Sequence, residues 1–513
     1  MAKEDDKNRS DNQTAPDEPV NSTVPVDPPG AVNDETSRSR ARLFTNMIEV
    51  QFQKGTRLEV DDAPDGAMCA FRSAGDSFSV DALNAFIREQ GCTKAERVFD
   101  ESPEDMADAE ELARIQDVEA PDLSGFYVLH FPADKDVHAI ARRLPDYPGV
   151  KYAAALPLTR FACGRDTQMP TDELLFPNGK RDDHQWYIER CKIDKAWTLG
   201  YTGKGVVIAD LDSGFQTQHP DLKGRFNLDR AFNTRTGDKK LSESGNQLRH
   251  GSGVAGQAGA AADGNGLVGV AHGAELWPIE VGPNLALEPD PLIDPLQWAK
   301  AIRQVIRYMR TDLRRVVLII EGQTACNGNI TQMHMIREAI LYAIAHGAVV
   351  CVAAGNGSRE VSEADCFPEP CQGPTFKPAG LIVGATDFDN LPYKGFAPRE
   401  GTNFGEAVAV SAPGDRNRDL TCTADLDSPY TSTFGATSGA AAKVAGAVAL
   451  MLEANSELKH ADVEQIFRKT GTPITAKPLG RLLNCEEAVL AAKEYPVTQW
   501  RVRSAAAEPA VQV

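Results

Sequence analysis

Apolar positions along this 513-residue chain follow two rhythms, and the change between them divides it. In residues 43 to about 165, MIEVQFQKG alternates apolar and polar residues, the period of a half-buried strand. SVDALNAFIREQG spaces Leu83, Phe86 and Ile87 as a helix does, with Ser79 as its cap and Gly91 as its stop. FYVLHF and VKYAAAL read as further strands, and DVHAIARRLPDYPGV as a helix running into a turn. The acidic run from Asp100 to Asp122 reads as a solvated helix or loop. Together these predict a small α+β unit of about 120 residues, with helices on one face of an antiparallel sheet.

From about residue 190 the rhythm changes. GVVIADLD, RVVLII, AVVCVAAG, LIVGATD and AVAVSAPG are short apolar runs, as expected of strands buried on both faces. Between them PLQWAKAIRQVIRYMR places Trp298, Ile302, Val305, Ile306 and Met309 on one helical face. TQMHMIREAILYAIAHG does the same with Ile336, Ile340, Ala343 and Ile344, and stops at Gly347. Strand–helix alternation predicts an α/β fold with a doubly wound parallel sheet, whose ligands sit beyond the carboxyl ends of the strands. This second domain is expected over 166–496. Residues 1–42 carry nine acidic and six basic residues, five prolines and no aromatic, and are expected to be disordered. Residues 497–513 read as a flexible tail.

Composition narrows the partners. A net charge of -19 argues against nucleic acid, which needs a basic face. No run approaches the roughly 18 apolar residues of a membrane span, and MAKEDDKNRSDNQ lacks the apolar stretch of an export signal. The expectation is a cytoplasmic protein that meets neither membrane nor nucleic acid. The ten cysteines are scattered and form no CxxC pair. Cys351 reads as a buried thiol. Cys366 and Cys371 flank a loop that they would bridge in an oxidising compartment, whereas a reducing one favours free thiols.

Four stretches carry candidate chemistry, and each also has a plainer reading. Asp212 ends GVVIADLD before Ser-Gly, where a turn aspartate is common. Asp210 is its rival, two residues inside the strand. His250 precedes a Gly/Ala-rich helix in HGSGVAGQAG. Asn356 follows a buried strand in VAAGNGS, where a turn asparagine also fits. Ser438 stands at the start of the small-residue helix FGATSGAAAKVAGAVAL, a place serines take as caps. Taken together they run Asp, His, Asn, Ser, each at a strand end or helix start. That supplies an orienting acid, a base, an oxyanion donor and a nucleophile.

In these motifs (DSG, HGSGVAG, AAGN and ATSGAAAKVAG, with HPDL and GVAHGAEL between them) the chain resembles the subtilisin-like serine proteases, the subtilase family. The resemblance covers about 300 residues, from 183 to about 490. It implies a serine endopeptidase acting on protein or peptide substrates, with Asp212, His250 and Ser438 as triad and Asn356 in the oxyanion hole. It implies no cofactor for catalysis. Structural calcium is common in the family, and no compact acidic loop assigns a site here. The alternative is a catalytically silent peptide-binding protein of the same fold.

Gly253 stands where the family often has a second His, and Ala442 where it usually has Pro. In the strand that pairs with substrate, VVLIIEGQTA replaces the family's Ser-Leu-Gly. Glu321 and Gly322 are therefore expected to bind substrate, Glu321 as a pocket carboxylate favouring Lys or Arg. The resemblance also implies that 43–165 is a propeptide, an intramolecular inhibitor cut off by the enzyme itself. The cut would fall within LPLTRFACGRDTQ, making the chain a self-processing zymogen.

Overall fold

Period-two patterning near the start of the chain forms an antiparallel sheet, and much of the polar face of that sheet is covered by protein. The computed structural model describes residues 44–496, apart from 55, 57, 62–69, 74–78, 124, 162–184, 244–247, 265, 283–291, 363–376, 396, 398–399 and 475–477. The expectations for 1–42, for 497–513 and for Cys366 and Cys371 lie outside the described residues.

Strands β1 (Phe44–Phe52), β2 (Lys94–Arg97), β3 (Phe126–His130) and β4 (Val150–Pro157) are ordered β2-β3-β1-β4, all antiparallel. Helices α1 (Asp81–Glu89) and α3 (Val137–Arg143) cover one face, where Leu83, Phe86, Ile87 and Ile140 meet Ile48, Val50 and Phe52. Ser79 holds the start of α1 by accepting the Asp81 N–H at 3.2 Å, while Val80 takes the cap position.

The other face is covered around β1. Glu49 is 2% exposed and Gln51 0%. Met47, Phe126, Val128, Ala154 and Leu156 join the core of the second domain. They lie against α6 (His334–Ala345), whose His334 shares a hydrogen bond with the Gln51 side chain at 3.2 Å.

The acidic run also departs from expectation. It forms α2 (Pro103–Gln116), opened by a Ser102/Asp105 capping box. Ala109 and Ala113 of α2 are buried, and its acids face a basic row on α5 (Pro295–Asp312). Arg303 pairs with Asp100 and Glu101, Arg310 with Asp105 at 2.6 Å, and Arg337 of α6 with Glu119 at 2.9 Å. Periodicity shows that a face is polar, not what covers it.

The second domain is built on nine strands. β6 (Val206–Asp212) is flanked on one side by β8 (Glu275–Glu280) and then β7 (Phe232–Asn233). On the other side come β9 (Arg315–Ile320), β11 (Val349–Ala353), β12 (Leu381–Thr386), β13 (Val408–Pro413), β15 (Arg481–Leu482) and β14 (Thr472–Pro473). Only the last pair is antiparallel. Along β6, Val206 and Ile208 enter one core while Val207, Ala209 and Leu211 enter the other, so both faces are apolar.

Helices α4 (Leu248–Gly259) and α7 (Ala436–Ala454) lie in the first core, α5 and α6 in the second. All five strands read from sequence are present. β8 was hidden by Pro278, which is tolerated because the outer strand β7 pairs with β8 only from Ile279 onward. Among the described residues no helix is long and apolar enough to cross a membrane. Cys351 is a buried thiol as expected, and Cys326 is disulfide-bonded.

Candidate active site

The carboxyl ends of β6, β9 and β11 place Asp212, Glu321 and Asn356 around the start of α7. Asp212 closes β6 and is fully buried. Its Oδ1 accepts the Ser213 N–H at 2.5 Å and the Ser213 hydroxyl at 3.1 Å. Its Oδ2 lies 2.7 Å from His250 Nδ1. The opposite ring nitrogen, Nε2, lies 3.1 Å from Ser438 Oγ. A neutral His250 protonated on Nδ1 donates to Asp212 and accepts from Ser438, the tautomer a general base requires.

Ser438 is not the helix cap. Gly435 occupies that position without a side-chain bond, and Ser438 sits in the first turn of α7. Ala436, just before it, has φ 56, a left-handed conformation that costs a non-glycine residue roughly 1 kcal/mol. Ala442, in the family's proline position, is buried in an unbroken helix. The His250–Ser438 geometry therefore survives that change. The Gly253 departure has a partner. A Cβ there would sit 2.9 Å from the Phe434 ring, which packs edge-on to His250 with centroids 5.4 Å apart.

Asn356 joins the site through its amide oxygen. Oδ1 accepts the Thr437 N–H at 3.2 Å and the Thr437 hydroxyl at 2.9 Å, one residue from Ser438. Its own N–H donates to Gln323 Oε1 at 2.9 Å. These bonds fix which end of the amide carries the donors.

Glu321 is fully buried, with its carboxyl clustered against those of Asp210 and Asp212. Burial and the two neighbouring carboxylates hold its carboxyl well above the usual range, and burial with Asp212 does the same to Asp210. A carboxyl whose charge is so penalised is a poor partner for a substrate Lys or Arg, against the expectation of a pocket carboxylate. Asp210, the rival for the triad, makes no side-chain hydrogen bond. Gly322 stands on β10 (Gly322–Thr324), which pairs antiparallel with β5 (Thr159–Phe161), a segment of the chain's own N-terminal part.

Lys443 was missed. It is 0% exposed, one turn beyond Gly439, and a lysine inside an Ala/Gly/Val run was the available signal. Its ammonium donates to Asp419 (2.9 Å), Gln257 (3.0 Å), Pro413 O (3.1 Å) and Gly439 O (3.2 Å). It also stands 4.4 Å from the centre of the Tyr187 ring. Burial pushes the Asp419 carboxyl up to about 6, against the pull of Lys443.

Two groups among the described residues bring three metal-ligating side chains together: Asp210/Asp212/Glu321 and His219/Asp221/Cys422. In the second, His219 is already engaged at both nitrogens, with Pro429 O and with the Asp221 N–H. Neither group is the cage of about six to eight oxygens that calcium takes.

A parallel sheet on which an aspartate, a histidine and a serine converge past the strand ends defines a class, and comparison with known proteins agrees with it. The chain belongs to the subtilase family, whose profile matches residues 203–484, more than half of its length. It is 28% identical to Bos taurus furin over 358 residues, covering 64% of this chain and 40% of furin. It is 27% identical to Homo sapiens proprotein convertase subtilisin/kexin type 6 over 324 residues, 60% of this chain and 31% of the relative. The chain thus spans about two fifths or less of these curated relatives. Fervidolysin from Fervidobacterium pennivorans, a keratinolytic enzyme related to subtilisin, superposes with TM-score 0.53 at 19% identity, over 75% of this chain and 59% of fervidolysin. That likeness establishes the subtilisin-like fold.

Proposed function

We propose that this chain is a serine endopeptidase that uses Ser438 as nucleophile, His250 as general base and acid, and Asp212 as the group that orients and charges-balances the imidazole. The observation that carries the reading is the line of bonds from Asp212 to His250 at 2.7 Å and from His250 to Ser438 at 3.1 Å. Ser438 Oγ attacks the scissile carbonyl while His250 Nε2 takes its proton. The proton then passes to the leaving amine as the acyl-enzyme forms, and water repeats the cycle to release the acid. The Asn356 amide and the Ser438 N–H are the proposed oxyanion donors. One such donor contributes about 3 kcal/mol to lowering the barrier.

The N-terminal unit is proposed as the intramolecular inhibitor. It supports this role by laying Thr159–Phe161 along Gly322–Thr324 as an added strand. Phe161 lies opposite Gly322, the residue next to Glu321 in the triad's carboxylate cluster. The chain beyond Phe161 is the proposed place of self-cleavage, within LPLTRFACGRDTQ.

A fluorophosphonate probe tests the nucleophile: wild type labels at Ser438 and Ser438→Ala does not. Intact mass and N-terminal sequencing of the two proteins test the processing, with a cut after Phe161 expected in wild type alone. A wild-type protein that neither labels nor cuts peptides overturns the reading.

A further inference from the structure

The strand Thr159–Phe161 is held on both edges, and one of its residues occupies a pocket with a polar floor. On one edge it pairs with Gly322–Thr324, and Leu158 O accepts the Ala325 N–H at 3.1 Å. On the other edge Thr159 exchanges both backbone bonds with Ile293, at 2.8 Å each. Its side chain is entirely buried there. The Thr159 hydroxyl donates to Ile293 O at 2.7 Å and accepts from the Trp298 indole N–H at 2.7 Å.

Trp298 is itself 0% exposed, in the first turn of α5, which begins at Pro295 just after Ile293. Its ring is set by Gly322: a Cβ at 322 would lie 2.8 Å from the indole. The substrate-pairing strand and the indole that reads the side chain are therefore built as one piece.

We infer that Trp298 and the Ile293 carbonyl form a specificity subsite for a hydroxyl side chain, so that the enzyme prefers extended peptides with Thr or Ser at the position opposite Thr324. This rests on the proposed endopeptidase reading, with Thr159–Phe161 lying in the track a substrate strand takes. An indole N–H donates and cannot accept, so it needs an acceptor once water is excluded. Valine matches threonine in shape but offers that donor no hydroxyl acceptor. Sites built to bond a hydroxyl reject analogues without it much more strongly than apolar pockets discriminate by size. The expected discrimination is roughly 5- to 150-fold in kcat/KM for Thr over Val.

The test uses the full-length wild-type chain and quenched peptides copying LPLTRFACGRDTQ, with Thr, Ser, Val or Leu at the position of Thr159. Thr and Ser peptides are expected to be cut faster than Val and Leu. Trp298→Phe should bring the Thr/Val ratio towards one by slowing the Thr peptide. Equal kcat/KM for Thr and Val in protein that labels with fluorophosphonate overturns the subsite, as does an unchanged ratio in folded Trp298→Phe protein. The wild-type peptide series stands even if that variant does not fold.

If the protein neither labels nor cuts, the endopeptidase reading fails, and the subsite is then judged by thermal unfolding of full-length Ser438→Ala protein. Adding Thr159→Val should lower its Tm and Thr159→Ser should not. Equal Tm values for the two overturn the subsite.

Discussion

Two buried charge clusters meet near Ser438, and they are neutralised in opposite ways. Lys443 and Asp419 are each 0% exposed and face each other across 2.9 Å, with three further oxygens around the ammonium. Asp210, Asp212 and Glu321 crowd together, and among the described residues no Lys or Arg forms an ion pair with them. Asp212 alone among the three is surrounded by donors, from Ser213 and His250. Burial and mutual repulsion penalise the charge of the other two and hold their carboxyls well above the usual range. One cluster is balanced by an opposite charge, and the other resists carrying charge. A substitution in the first should therefore act most where Asp419 is ionised, above pH about 6, and one in the second should change how stability falls as pH rises.

The largest expected effect comes from breaking the balanced pair. Lys443→Met leaves Asp419 buried without its cation and should lower stability by about 3–5 kcal/mol in denaturant unfolding. Replacing both partners, as Lys443→Met/Asp419→Leu, should recover most of it. If the double variant is as unstable as the single, the ammonium's bonds to Gly439, Gln257 and Pro413 matter more than the ion pair.

Glu49 is a third acid held neutral, at the seam between the domains. Burial, reinforced by Glu338, pushes it up to about 8. Its folded-state pKa lies above the ordinary value of 4.5. The stability it contributes is thus complete below pH about 4.5 and lost as pH climbs through about 8, by an amount on the order of a few kcal/mol. Thermal unfolding of the Ser438→Ala chain from pH 5 to 9 checks this: Glu49→Gln should lose less stability between about pH 5 and 8.

Glu321→Gln should be milder still. An amide replaces a carboxyl that resists charge, so stability near pH 4 should change by less than about 1 kcal/mol. On further rise in pH the wild type should lose stability faster than the variant, since the raised carboxyl is forced to ionise. A loss near pH 4 as large as that of Lys443→Met would show that Glu321 carries charge in the folded protein. The smallest effect is expected at the exposed rim. Arg307 and Asp100 are each more than half exposed, and Arg307→Ala should cost under about 1 kcal/mol and less in high salt.

These clusters also mark where sequence reading ended. The strands ending at Asp212 and before Asn356, and the helix carrying Ser438, were legible because apolar runs and their breaks record burial directly. The order Asp, His, Asn, Ser then pointed to residues that the structure brings close together. What stayed hidden was how polar residues are covered. Glu49 and Gln51 fall on the polar beat of β1 and are buried all the same, because α6 lies over them. The acids around α2 read as a solvated face, yet the arginines answering them are some 200 residues further along. Glu321 follows the end of β9 much as Asn356 follows β11, and nothing in its neighbours along the chain shows that its carboxyl turns towards Asp210 rather than towards substrate.

The antiparallel pairing of Thr159–Phe161 with Gly322–Thr324 has one more consequence. In the uncut chain that strand is tethered, and its local concentration at Gly322 is on the order of millimolar or above whatever the dilution of the protein. A break beyond Phe161 would turn an intramolecular contact into a bimolecular equilibrium. Occupancy of the groove would then follow protein concentration, and simple dilution would open it.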